Sequence, residues 1–414
     1  MKTYMATSVA CILTLWGGVS AVSAAEKIAP KTLEFLEATT ISGYVQASYQ
    51  HSWNAGGNQN ATPNADGSLP PSANASPGVT PARVFNNTRD SFNLDQAKVT
   101  LEKPIGDSDF GVGYRVDLLF GTTASMIHST KANGSTFNLG DDGDLEQAYV
   151  QFRIPVGNGL DVKLGKFVTL LSNEVIDAPG NWNYSRSYLF AYAVPFTHTG
   201  ALMSYKFNDI VDAQFAVVNG WDNVEDNNSG KTLMGRVGVT LLGGKLVFST
   251  VGIGGPEQNS DNKDYRWVVD EVVTWNATEK LSFAFEALYG SESIPDDPAS
   301  LGYTMRDNYE WWGAAAYAKY KWNSHLSTAL RAEYFSDVGG SRLGGMVGVN
   351  TLRGPGEENT VDVQEYTLSF ALENVWKNLT PRLEFRYDHL NAPVFTTEQT
   401  HSVFTASLDL TYAF

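Results

Sequence analysis

From Ile41 to the C-terminus the chain runs in stretches of roughly ten residues in which apolar and polar positions alternate. The last stretch shows it best. Phe404, Ala406, Leu408, Leu410, Tyr412 and Phe414 fall on one side of an extended chain, and Thr405, Ser407, Asp409, Thr411 and Ala413 on the other. Side chains of a strand point alternately to its two faces, so one face is written for lipid and the other for water. The same two-faced pattern recurs upstream. Val116, Leu118 and Phe120 oppose Arg115 and Asp117; Val150, Phe152 and Ile154 oppose Gln147, Gln151 and Arg153; Leu383, Phe385 and Tyr387 oppose Arg382, Glu384, Arg386 and Asp388. A soluble sandwich can alternate too. It does not normally set charged residues against a continuous apolar band in strand after strand.

Periodicity predicts about sixteen strands, beginning near Ile41, Ser91, Phe110, Leu145, Leu160, Gly200, Val211, Lys231, Gly244, Tyr265, Lys280, Glu310, His325, Asp362, Leu379 and Thr400. Their connections alternate short and long. Asn208-Asp209 and Trp322-Asn323-Ser324 are short; residues 55–90, 121–143, 168–199 and 336–361 are long. Open sheet edges cannot exist in lipid, so strands of this kind must close on themselves. The expectation is an all-β, transmembrane antiparallel up-and-down barrel over residues 41–414, with short periplasmic turns and long external loops.

Composition sharpens this picture in three ways. A net charge of −16 argues against nucleic acid as a partner, since backbone phosphates require a basic surface. Lys2, the apolar run Met5 to Val22 and the small residues Val22-Ser23-Ala24-Ala25 read as a cleaved secretory signal over residues 1–25, followed by a short periplasmic segment, 26–40. The one cysteine, Cys11, lies inside that signal, so the exported chain has no disulfide and no thiolate chemistry. The six histidines are scattered without metal-ligand spacing, and no cofactor or catalytic constellation is implied.

Tryptophans fall near strand ends: Trp275, Trp322 and Trp376 by short turns, and Trp53, Trp221, Trp267, Trp311 and Trp312 by long loops. Two aromatic girdles, one at each membrane interface, would have this layout. Tyr412 and the terminal Phe414 resemble the carboxy-terminal signal read by the barrel-assembly machinery.

The loop 168–199 stands apart. It carries Trp182, Tyr184, Tyr188, Leu189, Phe190, Tyr192 and Phe196, which a loop in open solvent has no reason to hold. A loop folded against the inner wall would bury them. Leu94-Asp95-Gln96-Ala97, Leu145-Glu146-Gln147-Ala148-Tyr149-Val150, Gly165-Lys166-Phe167, Asn181-Trp182-Asn183-Tyr184-Ser185-Arg186-Ser187 and Pro195-Phe196-Thr197-His198-Thr199-Gly200 together resemble the OmpL-like beta-barrel porin-2 family. That resemblance implies an outer-membrane porin-like barrel and leaves the solute unsettled.

Candidate pore-lining residues are the inward charges Lys98, Arg115, Asp117, Arg153 and Lys163 on the early strands, faced by Glu174 and Asp177 of the loop, with Arg186 anchoring it. Opposed basic and acidic rims would orient polar solutes. Local pairing of those cations with Glu102, Asp117 and Asp161 is the simpler alternative. The expected function is passive diffusion of small hydrophilic solutes or ions through a lumen narrowed by the loop. A substrate-selective channel and a plugged structural or adhesive barrel are the rivals. Expected partners are outer-membrane lipid, lipopolysaccharide, the assembly machinery and the solutes. Both monomer and homotrimer stay open, general porins of this strand number being often trimeric.

Overall fold

A computed structural model of the chain describes residues 38–53, 80, 82–86, 88–106, 108–293, 308–343, 360–392 and 400–414. The expected signal and residues 26–37 lie outside them. Sixteen antiparallel strands form one closed barrel. In chain order they are β1 (Thr40–Trp53), β2 (Ser91–Lys103), β3 (Val112–Phe120), β4 (Gly143–Ile154), β5 (Leu160–Val168), β6 (Thr197–Lys206), β7 (Val211–Val218) and β8 (Thr232–Leu241). There follow β9 (Leu246–Pro256), β10 (Tyr265–Asn276), β11 (Leu281–Glu292), β12 (Tyr309–Lys321), β13 (Leu326–Val338), β14 (Val361–Leu372), β15 (Leu379–Leu390) and β16 (Ser402–Ala413). Each begins within three residues of the position that periodicity assigned it. A two-residue ribbon, Ser129–Thr130 with Thr136–Phe137, lies in the connection between β3 and β4.

Every strand pairs with its neighbour in sequence, and β1 pairs with β16 to close the cylinder, Tyr44 opposite Ala413. Closure ends on the last residue: Phe414 N–H donates to Gly43 O at 2.9 Å, and Gly43 N–H donates to Phe414 O at 3.1 Å. Deleting Phe414 removes both bonds from the seam. The expected outcome is a lower yield of folded barrel, read from heat-modifiable migration of membrane extracts on gels.

Outside, the alternating apolar residues form the exposed face, from Val45 and Val150 through Phe285 and Leu330 to Leu408. Inside, the polar face is buried: Gln46, Ser48 and Gln50 on β1, and Ser407 and Asp409 on β16, are nearly inaccessible. A water-filled cylinder would leave these side chains wet, so something fills the lumen beside them.

Two β-bulges depart from strict alternation. Between Gln46 and Ala47 of β1 the pairing skips Asp95, and between Asp117 and Leu118 of β3 it skips Glu146. A bulge sets two consecutive residues on one side. Asp95 with Gln96, and Glu146 with Gln147, therefore all turn inward and are buried.

The tryptophan expectation holds in part. Trp53, Trp267, Trp275, Trp312, Trp322 and Trp376 are exposed on the outer wall. Trp311 is not: it is fully buried, donates its indole N–H to Ala193 O at 3.1 Å and meets Trp221 edge-on. The reason is parity, because Trp311 and Trp312 are consecutive in one strand and cannot both face lipid.

Candidate functional site

The lumen is filled mainly by residues 169–196, the connection between β5 and β6, with Thr80, Arg83 and Phe85 of the connection after β1 packed beside it. Tyr188, Leu189, Phe190 and Val194 of this loop are buried and pack with Leu288, Ala315, Trp311 and Phe335 of the wall, while the buried Tyr184 donates its hydroxyl to Ser48 of β1 at 2.7 Å. The apolar residues supply contact area, but a buried loop also brings backbone N–H and C=O groups that need partners.

The wall provides them from alternating charges on its inner face. Glu333 of β13 accepts the N–H of Tyr188 at 2.8 Å and of Leu189 at 2.6 Å. Glu384 of β15 accepts those of Tyr184 at 2.7 Å and Ser185 at 3.0 Å. Asp270 of β10 takes Ser172 at 2.6 Å, and Glu286 of β11 takes Asn173 at 3.2 Å. Arginines on the same wall donate to the loop's carbonyls: Arg331 to Ser185 O at 2.7 Å, Arg382 to Asn181 O at 2.9 Å and Arg386 to Arg186 O at 2.6 Å. Hydrogen bonds with one ionised partner are the short, strong ones, and here they fix a loop across half the barrel.

The arginines are themselves paired. Arg331 contacts Glu174 of the loop at 2.6 Å and Glu365 at 2.9 Å; Arg382 contacts Asp409 at 3.0 Å and Arg386 contacts Asp388 at 2.7 Å. Arg83, from the connection after β1, adds a second guanidinium to Asp388 at 2.5 Å. All of these groups are buried, so they build the filling.

The residues singled out from sequence divide accordingly. Lys98 is buried among Asp117 at 3.0 Å, Glu146 at 2.9 Å and Asp177 at 2.7 Å. Arg115 lies between Glu102 at 3.4 Å and Asp117 at 3.0 Å. Arg153 grips Asp161 with two bonds, 2.7 and 2.9 Å, one residue pair from the turn that joins β4 to β5. Lys163 stacks over the Tyr149 ring at 4.7 Å. Glu174 is committed to Arg331 and to Ser187 N–H at 2.7 Å. Arg186 donates to the loop carbonyls of Val175, Ile176 and Tyr184 at 3.0, 2.7 and 3.0 Å, and burial pulls its pKa below the usual arginine value.

What remains open is a cavity of about 930 Å³ between the loop and the wall of the early strands. Lys98, Arg115, Lys163, Glu174, Asp177 and Arg236 line it. Arg153, Asp117 and Arg186 are not among its lining residues. Sequence reading missed Arg236 and Glu146 of this cavity and the wall anchors Asp270, Glu286, Arg331, Glu333, Arg382 and Glu384. Glu146 was hidden by the bulge. The β15 anchors did carry a signal, the run Arg-Leu-Glu-Phe-Arg-Tyr-Asp from Arg382 to Asp388, which is far more charged than a solvated inner face requires.

Residues 38–414 match the family described as "Putative beta-barrel porin-2, OmpL-like". The chain belongs to this porin family. Among solved structures it resembles the outer membrane channel DcaP of Acinetobacter baumannii, at 12% identity and a TM-score of 0.56 over 91% of this chain and 97% of that one. It also resembles an anion-selective porin from Comamonas acidovorans, at 10% identity and 0.57 over 91% and 99%. Pseudomonas putida OprB matches at 11% identity and 0.54 over 93% and 96%. At such identities these establish a common fold, the outer-membrane porin barrel. No curated protein matches the sequence.

The end of the porin loop is secured from outside the strands. Asp222, in the connection after β7, accepts the N–H of Phe196 at 2.8 Å and of Thr197 at 2.9 Å. Burial pushes its carboxyl up to about 6, against these two hydrogen bonds and the pull of Lys166 and Arg342. A carboxyl raised in the folded state binds its proton more tightly there than in the unfolded chain. Its contribution is therefore greatest below the unfolded value, near 4, and declines as pH rises through about 6. Unfolding in urea should show the barrel losing about 1–2 kcal/mol between pH 4 and pH 7 relative to Asp222→Asn, a figure discounted for partial exposure. Parallel pH profiles for the two proteins would remove Asp222 from this role.

Proposed function

We propose that this chain is a porin conducting small hydrophilic solutes passively through the part of the lumen that residues 169–196 leave free. The observation that carries this reading is the anchoring of the loop by β10, β11, β13 and β15 and by β1 and β2, with a cavity lined by charged and apolar side chains remaining beside the early strands. A barrel of this width holds an aqueous channel when empty, and a loop that crosses it, held by the late strands and also by Ser48, Gln96 and Lys98 of β1 and β2, narrows it to the space left beside the early strands. The charges in its lining, Lys163, Arg236 and Asp177, suit hydrated solutes over apolar ones. Copies of the chain self-associate in the outer membrane, as in the trimer form of OmpT of Vibrio cholerae, whose barrel this one resembles at 9% identity and a TM-score of 0.52, over 91% of this chain and 99% of that one. Purified protein added to a planar bilayer should give stepwise conductance. Silence at high protein load, with the barrel folded, would favour the plugged structural alternative.

A further inference from the structure

Glu271 lies at the centre of β10 and faces outward, four residues from Trp267 and four from Trp275, which mark the two edges of the apolar band. Its parity is that of Val269 and Val273; Asp270 and Val272 are the buried, inward pair. Among the described residues no other strand turns a charged side chain outward at its centre. A carboxylate on the lipid face costs most at mid-depth, and intramembrane ionisable groups ordinarily have a partner. Among the described residues its hydrogen-bond partner is the hydroxyl of Thr250, directly across the β9–β10 pair.

The wall around it is unusually low. Gly235 of β8 and Gly252 of β9 are cross-strand partners, both outward and both with negative φ. A Cβ at either position would meet nothing within 4 Å among the described residues. Strand-interior glycine weakens a sheet, and its usual reason is another surface coming close. No such surface is found among the described residues. On the other side of Glu271, Ala287 pairs with Ala314, and Ala316 with Ala332. Beyond them a groove of about 620 Å³ opens on the outer wall, between Phe283, Ala316, Leu330, Ala332, Tyr366 and Phe385.

We propose that this outer wall, β8 to β13 centred on Glu271, is where a second copy of the chain docks. The inference rests on the self-association in the preceding section and names the face that serves it. Acyl chains can fill a low apolar wall but offer no hydrogen bond to a carboxyl at mid-depth. Copies related by an axis along the membrane normal hold equivalent residues at equal depth. They therefore bring the Thr250 hydroxyl and Glu271 carboxyl of one copy to the level of those of the next, and small residues let the two sheets approach closely.

The test uses the full chain extracted in mild detergent, with oligomeric state measured by light scattering. Gly252→Leu adds a side chain into space that is empty within one copy. It should leave heat-modifiable folding intact and weaken association at least ten-fold, and Glu271→Leu should weaken it in the same direction. Ala287→Cys should cross-link copies with a short bismaleimide, whereas Val150→Cys on the far wall and the parent chain should not. An oligomer that persists in Gly252→Leu and cross-links through Val150→Cys overturns the proposed face and leaves self-association standing. A parent chain that is monomeric overturns both. A Glu271→Leu barrel that is more stable and equally associated shows the carboxyl facing lipid, and also overturns the proposal.

Discussion

Removing residues 181–191 should raise single-channel conductance at least roughly two-fold, because current through a wide pore follows its open cross-section. The deleted segment contains Tyr184, Tyr188, Leu189 and Phe190, which lie inside the barrel against β12, β13 and β15. It also contains the four backbone N–H groups held by Glu333 and Glu384. A deletion of this size can impair assembly, so the companion experiment keeps the loop and loosens it. The double change Glu333→Gln and Glu384→Gln replaces carboxylates that accept with both oxygens by amides that offer only one. Charge-assisted bonds become ordinary ones, and two loop N–H groups lose their acceptor. Conductance should then become noisier and larger than in the parent. A deletion that folds normally and conducts as the parent does would place the constriction elsewhere. Unchanged current in the double variant alone would mean that packing of the aromatic residues suffices to hold the loop.

Arg331→Ala is expected to be the most destabilising single change, by about 3–5 kcal/mol in urea unfolding from lipid vesicles, the usual cost of stranding buried charge. Its guanidinium is fully buried and contacts Glu174 at 2.6 Å, Glu365 at 2.9 Å and Ser185 O at 2.7 Å. Without it Glu174 loses its ion pair and Glu365 keeps only Arg386, at 3.6 Å. The contrast is Arg153→Ala. The Arg153–Asp161 pair is equally short, 2.7 Å, but both side chains are about one-third exposed. Solvent screens such a pair, and its loss should cost under about 1 kcal/mol. Equal effects at the two sites would mean that the inner wall is as wet as the periphery, against the packing described above. Arg331→Lys should fall between them, since a point charge cannot serve Glu174, Glu365 and Ser185 with a planar fork.

Much of the fold was legible because a strand between lipid and water obeys one rule. The starts of all sixteen strands, and the outward residues from Val45 to Leu408, follow from a period of two and from the alternation of short and long connections. The exceptions have local causes. The inward setting of Glu146 and Asp95 escapes the period because a bulge inserts one residue and changes parity, and nothing in the residue types announces it. Trp311 was assigned to a girdle from its position near a strand end, although its neighbour Trp312 had already taken the outward side.

The candidate site was legible as a segment and less so as a set of contacts. The aromatic content of residues 168–199 marked the loop that enters the barrel. The pairing of Arg115 and Arg153 with Glu102, Asp117 and Asp161 matches the local alternative weighed at the outset. Which wall residues would hold each part of the loop was not written in either partner alone. Lumen-facing charge occurs on early and late strands alike, Lys98 and Arg115 as well as Arg331 and Arg386. The choice depends on where loop N–H groups meet carboxylates across more than a hundred residues of sequence, as Glu333 meets Leu189.

By itself, then, the sequence determined the barrel, its strand number, its two faces and the one loop too apolar for solvent, because each of these is a local or periodic property of side-chain polarity. Only the tertiary structure decided that the loop is held by β10, β11, β13 and β15 on one side and by β1 and β2 on the other, and that the remaining cavity lies beside the early strands. The same is true of the setting of Glu271, at mid-depth on a wall of glycine and alanine. Those depend on register and bulges, which set residues distant in sequence at hydrogen-bonding distance, and no period along one chain encodes a distance across the lumen.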